Sequence, residues 1–502
     1  MPRSINSKAS RDVRPTVQRY IRCLLSSGGA GHPEPSLKQS PKQPPPPSPP
    51  PLPKTIDLDD HTKLYASFTT AKLMKSWLTL KVAAKGSVAA VGSWVINSRA
   101  MDDPIAKAAI LGFTERTFFG HFCGGKDLLE AGRTVQMLWD TGLNAMLDYG
   151  LEHSDDNLSC DRNLAEFLAS IEWTKSLPNS QCVSFIVVKI TAICPTSLLR
   201  RLSDLLRWEY KRGSIDLPWK QETLPIFTDI SPLYHTIRCP APLTPEEERD
   251  LQIAIARLET ICERSVEANV PLLIDAEETT TQPAIDYLAY SAAIKYRLPD
   301  GKPLIFNTIQ AYLKDSFERL KSAMGAADRI GVPLGIKLVR GAYMSSEKIL
   351  AANLRADHPL HPVLERTHDS YNDCADFLLN EVAKGKASAV MATHNIESGY
   401  IIAGKARQLG IAKEDPSLQF AQLYGMSDAL SFGLKNAGFK VSKYLPFGPV
   451  EQIMPYLLRR AEENTAVLGT SNFDRDLMKK EWVRRLKSGI RGEGGDAVAI
   501  QT

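Results

Sequence analysis

The chain has 502 residues, of which 43% are hydrophobic and 24% are charged. These values are ordinary for a globular protein and allow one large domain or two of average size. The net charge is +4, but residues 1–54 carry nine Lys/Arg against two Asp/Glu, so the rest of the chain is mildly acidic. With this balance the body of the protein shows no obvious basic footprint for nucleic acid.

Residues 1–32 are rich in arginine and poor in acids, and Val17, Tyr20, Ile21 and Leu24 could share one helical face. That pattern predicts an organelle transit peptide, with a disordered basic tail as the alternative. Residues 33–54 hold eleven of the 33 prolines. Such a run cannot pack a core, so we predict a polyproline-like linker.

Residues 55–180 are predicted to be helical. The clearest case is residues 126–152, where apolar side chains recur at spacings that suit one helical face. These side chains are Leu129, Val135, Leu138, Leu143, Met146 and Leu147.

From about residue 180 short apolar runs alternate with longer helical stretches, which predicts parallel strands covered by helices. An eighth strand would close a barrel, and residues 359–366 and 224–227 are the candidates for it. An open doubly wound sheet is the alternative, disfavoured because no G-x-G-x-x-G follows a strand. The seven clear runs are 185–193, 271–274, 304–309, 334–339, 389–392, 418–423 and 439–445.

We therefore predict an α/β fold in which residues 181–470 form a (β/α)₈ TIM barrel, followed by a C-terminal helix and tail over residues 471–502. No apolar run reaches the roughly 20 residues that cross a bilayer, so any membrane contact would be peripheral. The eight cysteines form no C-x-x-C pair, and the nine histidines form no H-E-x-x-H. Reduced thiols are therefore expected, and no metal site.

Polar residues follow most of the apolar runs, including Asp275, Gln310, Arg340 and His394. In such barrels functional groups project from the C-terminal ends of the strands, so a polar site at one mouth is predicted. Lys189 lies within the apolar run 185–193 and needs an anion or a route to water.

Arg459 and Arg460 lie side by side in a helical pattern near the C-terminus. Paired guanidinium groups suit a small carboxylate, through bidentate charge-assisted hydrogen bonds. A solvated helix face paired with Glu462 and Glu463 is the alternative.

Six ordered strings resemble the proline dehydrogenase family, in its eukaryotic, plant-like mitochondrial branch. The resemblance covers roughly residues 120–470 and is carried by FIVVKITAI (185–193), LLIDAEE (272–278), KLVRGAYM (337–344), ATHN (392–395), FAQLYGM (420–426) and KYLPFGPVEQIMPYLLRRAEE (443–463). It implies a distorted barrel with its last helix over the mouth. It also implies non-covalent FAD, oxidation of L-proline to Δ¹-pyrroline-5-carboxylate, and transfer of electrons to a quinone at the mitochondrial inner membrane, on its matrix side.

The resemblance also assigns roles to individual residues. Arg459, Arg460 and Lys189 are expected to bind the proline carboxylate, Tyr444 and Leu423 to pack against the substrate, and Glu152 to gate the site by pairing with Arg459. Asp275 and Glu463 are expected to be acids at the site. The residues expected to contact FAD are Gln310, Lys337, Val339, Arg340, Gly341, Ala342, His394, Asn395, Gln422 and Leu423.

The sequence departs from bacterial members of this family near the flavin. Lys337 stands where they have an arginine, and Arg340 stands where they have a lysine. Ala421 replaces a flavin-contacting glutamine, for which Gln422 is the candidate substitute. Contacts to the adenylate end of FAD are unassigned.

Three rival functions stand beside proline oxidation. The substrate could be hydroxyproline, although the large ring of Tyr444 leaves little room for a hydroxyl group. The barrel could be an inactive binding protein, although it keeps the carboxylate-binding residues. It could also be a flavin-independent aldolase that uses Lys189 as a Schiff base.

Overall fold

The computed structural model describes residues 55–490, apart from residues 86, 87, 89, 90, 93, 96, 97, 214 and 467. The predicted transit peptide (1–32), the predicted linker (33–54) and the tail beyond residue 490 lie outside this part of the chain. None of the helices among the described residues is long and apolar enough to cross a membrane.

Eight parallel strands close into a barrel in sequence order, with β8 pairing with β1. This confirms the predicted TIM-barrel fold. The strands are β1 Asn144–Tyr149, β2 Val183–Val188, β3 Leu272–Ile274, β4 Ile305–Gln310, β5 Leu334–Val339, β6 Ala387–Ala392, β7 Leu418–Leu423 and β8 Val441–Phe447.

Helices precede the barrel, cover its strands and follow it. Many begin at a capping side chain, as where Asp127 accepts a hydrogen bond from the backbone N–H of Glu130. The longer ones are α1 Thr70–Ala83, α2 Pro104–Thr114, α3 Leu128–Asp140, α4 Asn157–Lys175, α5 Thr196–Arg212, α6 Pro245–Ala268, α7 Gln282–Lys295, α8 Ser316–Arg329, α9 Met344–Asn353, α10 Leu364–Ala383, α11 Ile396–Gln408, α12 Asp428–Asn436, α13 Val450–Ala466 and α14 Leu468–Ile490. Shorter helical turns are His61–Leu64, Arg99–Met101, Glu115–Phe119, Gly120–Phe122, Ser180–Cys182 and Ile190–Ile193.

The barrel interior is a packed apolar layer and not a pore. The rings of Phe185 and Phe306 meet edge to face there, with centroids 4.7 Å apart. Because successive strand side chains point to opposite faces, the intervening residues face the covering helices and form a larger core. The interior layer consists of Met146, Phe185, Val187, Leu273, Phe306, Val390 and Ala421.

The prediction of one helix over residues 126–152 is wrong in its second half. Helix α3 ends at Asp140, and the chain turns through Gly142, whose φ of 78° is left-handed. It then enters β1, the first strand of the barrel. Leu143, Met146 and Leu147 fit helical spacing by chance. Strand β1 is buried on both faces, so it lacks the alternation of apolar and polar residues that would mark it as a strand.

The eighth strand is therefore β1, which lies inside the region 55–180 that was predicted to be helical. The barrel begins before residue 181, and both candidates for the missing strand are wrong. Residues 359–366 lead into α10, and residues 224–227 lie in the irregular segment between α5 and α6.

Helix α13 lies across the C-terminal mouth of the barrel. Its residue Arg459 pairs with Glu152, three residues beyond the end of β1. The same guanidinium stacks 5.7 Å from the ring of Tyr343, four residues beyond the end of β5. Strands β1 and β5 are opposite each other in a closed eight-stranded barrel, so Arg459 is placed over the opening.

Candidate active site

The strand periodicity itself places charged residues at the mouth. The residue two positions beyond an interior side chain points the same way, one layer nearer the C-terminal end of the strand. This relation leads from Met146 to Asp148, from Val187 to Lys189, and from Leu273 to Asp275.

Lys189 is buried within a ring of polar groups at the mouth. Its Nζ donates to Asp148 Oδ1 at 2.7 Å and to the Tyr444 hydroxyl at 2.9 Å, and it lies 3.2 Å from Asp275 Oδ2. Burial alone would lower the pKa of this amine, but Asp148, Asp275 and Glu152 raise it above its ordinary value. Lys189 is therefore a fixed cation near neutral pH, which disfavours a role as a Schiff-base nucleophile.

Asp275 connects the two buried lysines of the site. One carboxylate oxygen accepts from Lys337 Nζ, and the other accepts from the Tyr444 hydroxyl at 2.7 Å. Burial opposes ionisation, but Lys337 and Lys189 hold the pKa of Asp275 well below its usual range. Lys337, Asp275, Tyr444 and Lys189 thus form one hydrogen-bonded set on the floor of the mouth.

Arg459 forms a bidentate ion pair with Glu152, with N–O distances of 2.6 and 3.1 Å. Burial would raise the pKa of the Glu152 carboxyl, but Arg459 and Lys189 lower it. A gate requires an ion pair that closes over the barrel opening, and the pair of Glu152 with Arg459 has this position. The gating role itself stays a prediction.

Arg460 is only 4% exposed, and its guanidinium lies 4.7 Å from the ring centroid of Tyr456 on the same helix. The alternative of a solvated arginine face is therefore wrong for Arg460.

Burial, with Lys443 and Arg460 nearby, lowers the pKa of His394 to about 3. The neutral imidazole Nε2 accepts from the backbone N–H of Leu423 at 3.1 Å, so Nδ1 carries the hydrogen.

Further candidates lie at the ends of β4 and β5. Gln310 points into the mouth, donates to the Glu277 carbonyl at 3.1 Å, and has a buried Oε1 with no partner among the described residues. Val339 ends β5 in an inward-facing position, and Gly341 and Ala342 follow it. An unsatisfied buried acceptor at a mouth indicates a site that a polar ligand completes.

Gly341 is required by a close approach between two segments. Its φ is 134°, and a Cβ here would lie 2.5 Å from Tyr312 Cδ1. We expect Gly341→Ala to cost about 1–3 kcal/mol of unfolding free energy more than Gly331→Ala. Gly331 also has a positive φ (66°), but a Cβ added there would meet nothing within 4 Å. Urea unfolding of both variants measures the difference, and equal losses would show that Tyr312 yields without cost.

Arg340 faces the helices and not the barrel interior. Its guanidinium donates to His368 Nδ1 at 2.9 Å, Thr393 Oγ1 at 2.7 Å and Ser398 Oγ at 2.8 Å. Burial and the nearby Arg340 lower the pKa of His368, so this imidazole is neutral. The other two partners are hydroxyl groups, so all three partners of Arg340 are neutral. Asn395 caps the adjoining helix α11, with Oδ1 accepting from the Ser398 N–H.

The structure places Gln422 away from the mouth. Its neighbour Ala421 belongs to the barrel interior, so Gln422 points to the helices. There its amide donates to the Thr393 carbonyl at 3.2 Å and accepts from Ser431 Oγ at 2.9 Å. One end of the side chain thereby holds α12 and the other holds the segment after β6, so Gln422 does not replace the glutamine that Ala421 lacks.

Sequence reasoning missed Glu277, a fully buried carboxyl behind the mouth. Both its oxygens accept from the Thr191 hydroxyl, at 2.8 and 2.9 Å. The same hydroxyl accepts from the His153 N–H at 3.3 Å, next to Glu152. Glu277 therefore supports the segment that carries the partner of Arg459.

The burial of Glu277 should also make the stability of the fold depend on pH. Burial raises its pKa to about 7 from an ordinary 4.5, so the folded chain binds this proton more tightly than the unfolded chain. The contribution to stability is complete below about pH 4.5 and is lost as the pH rises through about 7. Relative to Glu277→Gln, the wild type should lose on the order of 3 kcal/mol of unfolding free energy across this pH window, as measured by urea unfolding. The exposed Glu172→Gln should show no such difference, and a flat Glu277→Gln comparison would contradict the assignment.

The remaining predicted residue, Glu463, has a side chain outside the described part of the structure. Asp148 was missed because its strand was read as helix. The roles assigned to the other site residues remain predictions, although the geometry brings Lys189, Asp275, Tyr444 and Lys337 into direct contact.

A closed parallel barrel whose buried charged residues gather at its C-terminal mouth has the architecture of a TIM-barrel enzyme. A family model described as proline dehydrogenase matches residues 131–473. The chain belongs to the proline dehydrogenase family.

The chain is similar to two mitochondrial enzymes of Arabidopsis thaliana, proline dehydrogenase 1 and proline dehydrogenase 2. It is 51% identical to the first over 437 residues, which cover 87% of each chain. It is 50% identical to the second, covering 86% of this chain and 91% of that one. Hydroxyproline dehydrogenase of Homo sapiens is 32% identical over 76% of this chain and 83% of its own.

Among solved structures, proline utilization A from Bdellovibrio bacteriovorus, inactivated by N-propargylglycine, superposes with a TM-score of 0.57 at 18% identity. The match covers 81% of this chain and 38% of that chain, so this chain spans about two fifths of that longer protein. At this identity the likeness shows the fold alone, and it agrees with the barrel described above.

Proposed function

We propose that this protein oxidises L-proline to Δ¹-pyrroline-5-carboxylate with bound FAD and passes the electrons to a membrane quinone. The observation that carries the proposal is that Lys189, just after β2, and Arg459 of α13 both pair with acids at one barrel mouth, with Arg460 buried next to Arg459 in the chain. Two relatives of about 50% identity are named as mitochondrial proline dehydrogenases. They support a mitochondrial location, for which we propose the matrix side of the inner membrane.

The substrate carboxylate would bind to the cations above the floor of the mouth. Lys189 is held in place by Asp148 and Tyr444, so little side-chain entropy is lost when it binds an anion. Arg459 already holds a carboxylate, that of Glu152, in a bidentate arrangement. A proline carboxylate that enters can replace Glu152 as its partner, so the geometry of the ion pair shows what the guanidinium recognises.

The residues fit a flavin in two respects. Gln310 has a buried acceptor that faces the mouth and has no partner among the described residues, which suits an N–H of the flavin ring. Arg340 has only neutral partners beside the N-terminus of α11, a setting that suits phosphate groups.

FAD, when bound, would supply the oxidant for the bond between the proline nitrogen and the adjacent ring carbon. The chain's own residues would set the position of that carbon. The cations fix one end of the substrate, and Tyr444 and Leu423 wall its ring. The neutral His394 and the cation Lys337 would lie on the cofactor side, where a positive charge favours a reduced, anionic ring.

The second candidate substrate is hydroxyproline, because hydroxyproline dehydrogenases are among the relatives. Tyr444 argues against it. Its ring lies within the mouth, and its hydroxyl is fixed between Lys189 and Asp275. A hydroxyl on the substrate ring would meet an aromatic face that offers no good partner.

The proposal is tested with purified protein and a soluble electron acceptor. We expect a yellow protein whose released flavin is FAD, turnover of L-proline, and much slower turnover of trans-4-hydroxy-L-proline. A colourless protein that borohydride links to a carbonyl substrate through Lys189 would favour the aldolase alternative. A yellow protein that turns over neither amino acid would favour the inactive barrel.

A further inference from the structure

Helix α2 is apolar yet exposed. Among its eleven residues, Pro104–Thr114, only Thr114 is buried, while Ile105 is 82% and Phe113 is 64% exposed. Its one charged residue, Lys107, is paired with Glu451 of α13 at 2.7 Å. A helix that is apolar over its surface normally lies in a protein core or in lipid.

The neighbouring segments carry more exposed apolar side chains. On α1 they recur every fourth residue, so they share one face of the helix. Of the nineteen large hydrophobic residues that are exposed in the described part of the chain, seven fall between residues 74 and 113. We call these seven the apolar platform: Met74, Leu78, Val82, Val91, Trp94, Ile105 and Phe113.

All three parts of the apolar platform flank α13, the helix over the barrel mouth. Helices α1 and α2 both pack against α13. A Cβ added at Gly92 would lie 3.7 Å from Leu458, so the segment between them meets the same helix. The platform also lies N-terminal to residues 131–473, which match the family model.

The chain around the platform has one sign of charge. Between Asp60 and Asp102 the sequence contains six Lys/Arg and no Asp or Glu. Lys75, Lys81 and Lys85 are exposed on or just beyond α1. Exposed cations beside an apolar face are complementary to a surface of anionic phospholipids, where each cation adds to the binding of the apolar side chains.

We propose that the apolar platform docks this protein on a bilayer that contains anionic phospholipid, with the helix over the barrel mouth beside the lipid surface. The docking proposal rests on the proposed function, in which the electron acceptor is a quinone dissolved in the membrane. Docking at this place keeps the mouth close to the bilayer, and it needs no membrane-spanning helix.

The test uses the full chain and flotation with vesicles, either of phosphatidylcholine alone or of phosphatidylcholine mixed with cardiolipin. We expect the wild type to bind the mixed vesicles and to bind more weakly at high salt. Ile105→Glu and Phe113→Glu should each weaken binding at least about tenfold. The matched controls Leu129→Glu and Leu158→Glu change residues that are 67% and 69% exposed outside the platform, and they should bind as the wild type does.

Three outcomes would overturn the docking proposal. The first is a wild type that does not float with the mixed vesicles, and the second is equal vesicle binding by all four variants. The third is that the platform variants change only the oligomeric state, which would assign the surface to a second copy of the chain. Proline turnover with a soluble acceptor is measured in the same preparations and should be unchanged in all of them. Its absence in the wild type would refute the proposed function without bearing on vesicle binding.

Discussion

Arg460→Met is expected to raise the L-proline concentration for half-maximal turnover at least about tenfold, because a lost charge-assisted hydrogen bond costs about 1.5–3 kcal/mol. Arg459→Met should do the same. Arg460 is nearly inaccessible to solvent, so its replacement removes a charge that water does not replace. Steady-state kinetics over a range of proline concentrations, with a soluble acceptor, measures the effect.

One control variant separates substrate binding from general damage. Arg366→Met removes a surface arginine whose partner, Asp369, lies 3.7 Å away, and it should leave the kinetics unchanged. Arg459→Met also deprives the Glu152 carboxylate of its bidentate partner, so a loss of stability is expected beside the kinetic effect in that variant. Unchanged kinetics in both variants of the arginine pair would refute their role in binding the carboxylate.

Lys189→Met is expected to destabilise the fold by about 3–5 kcal/mol, in addition to weakening proline binding. The cause is Asp148, whose side chain is 2% exposed and whose carboxylate would be left in the barrel without its lysine. Urea unfolding measures the loss. The surface variant Lys386→Met breaks an ion pair of similar length, 2.8 Å to Asp328, and should cost less than about 1 kcal/mol.

A double variant distinguishes the structural role of Lys189 from its binding role. Lys189→Met with Asp148→Leu removes both charges, and such a replacement is often neutral for stability. We expect the double variant to recover most of the lost stability but none of the lost proline affinity. A single Lys189→Met variant as stable as the wild type would contradict the buried pair, and recovered affinity would contradict the binding role.

Much of the barrel could be predicted from the sequence, because seven strands stand out as short apolar runs between helices. Strand β1 is as long as most of the others, but it could not be predicted, because its apolar residues keep the spacing of the helix before it. Leu143, just before the strand, and Met146 and Leu147 within it continue the helical spacing of α3. The strand becomes recognisable only through its partners, with Asn144 to Tyr149 aligned against Ser442 to Phe447 of β8.

The same limit applies to the site. The resemblance to a known family placed Lys189, Asp275 and Tyr444 in one site, and the structure shows them in contact. Asp148 depends on the strand that was missed. Glu277 was visible as a polar residue after β3, but its burial against Thr191 depends on how the β2 and β3 ends meet in space.

Local sequence also could not decide which way a strand-end side chain points. Gln422 and Leu423 are neighbours, and only the register of β7 shows that Gln422 faces Ser431 and the helices. Arg340 likewise points outward from β5, towards the ends of α10 and α11. One residue of register decides whether a side chain at a strand end faces the barrel mouth or the covering helices.

The central claim is that cations at the barrel mouth hold L-proline over a bound flavin. It is tested most directly by adding L-proline to the purified protein without oxygen and recording the flavin absorbance near 450 nm. We predict that the band bleaches in the wild type and that Arg460→Met needs at least about tenfold more L-proline for the same extent of bleaching. A flavin band that L-proline leaves unchanged in the wild type would contradict the claim.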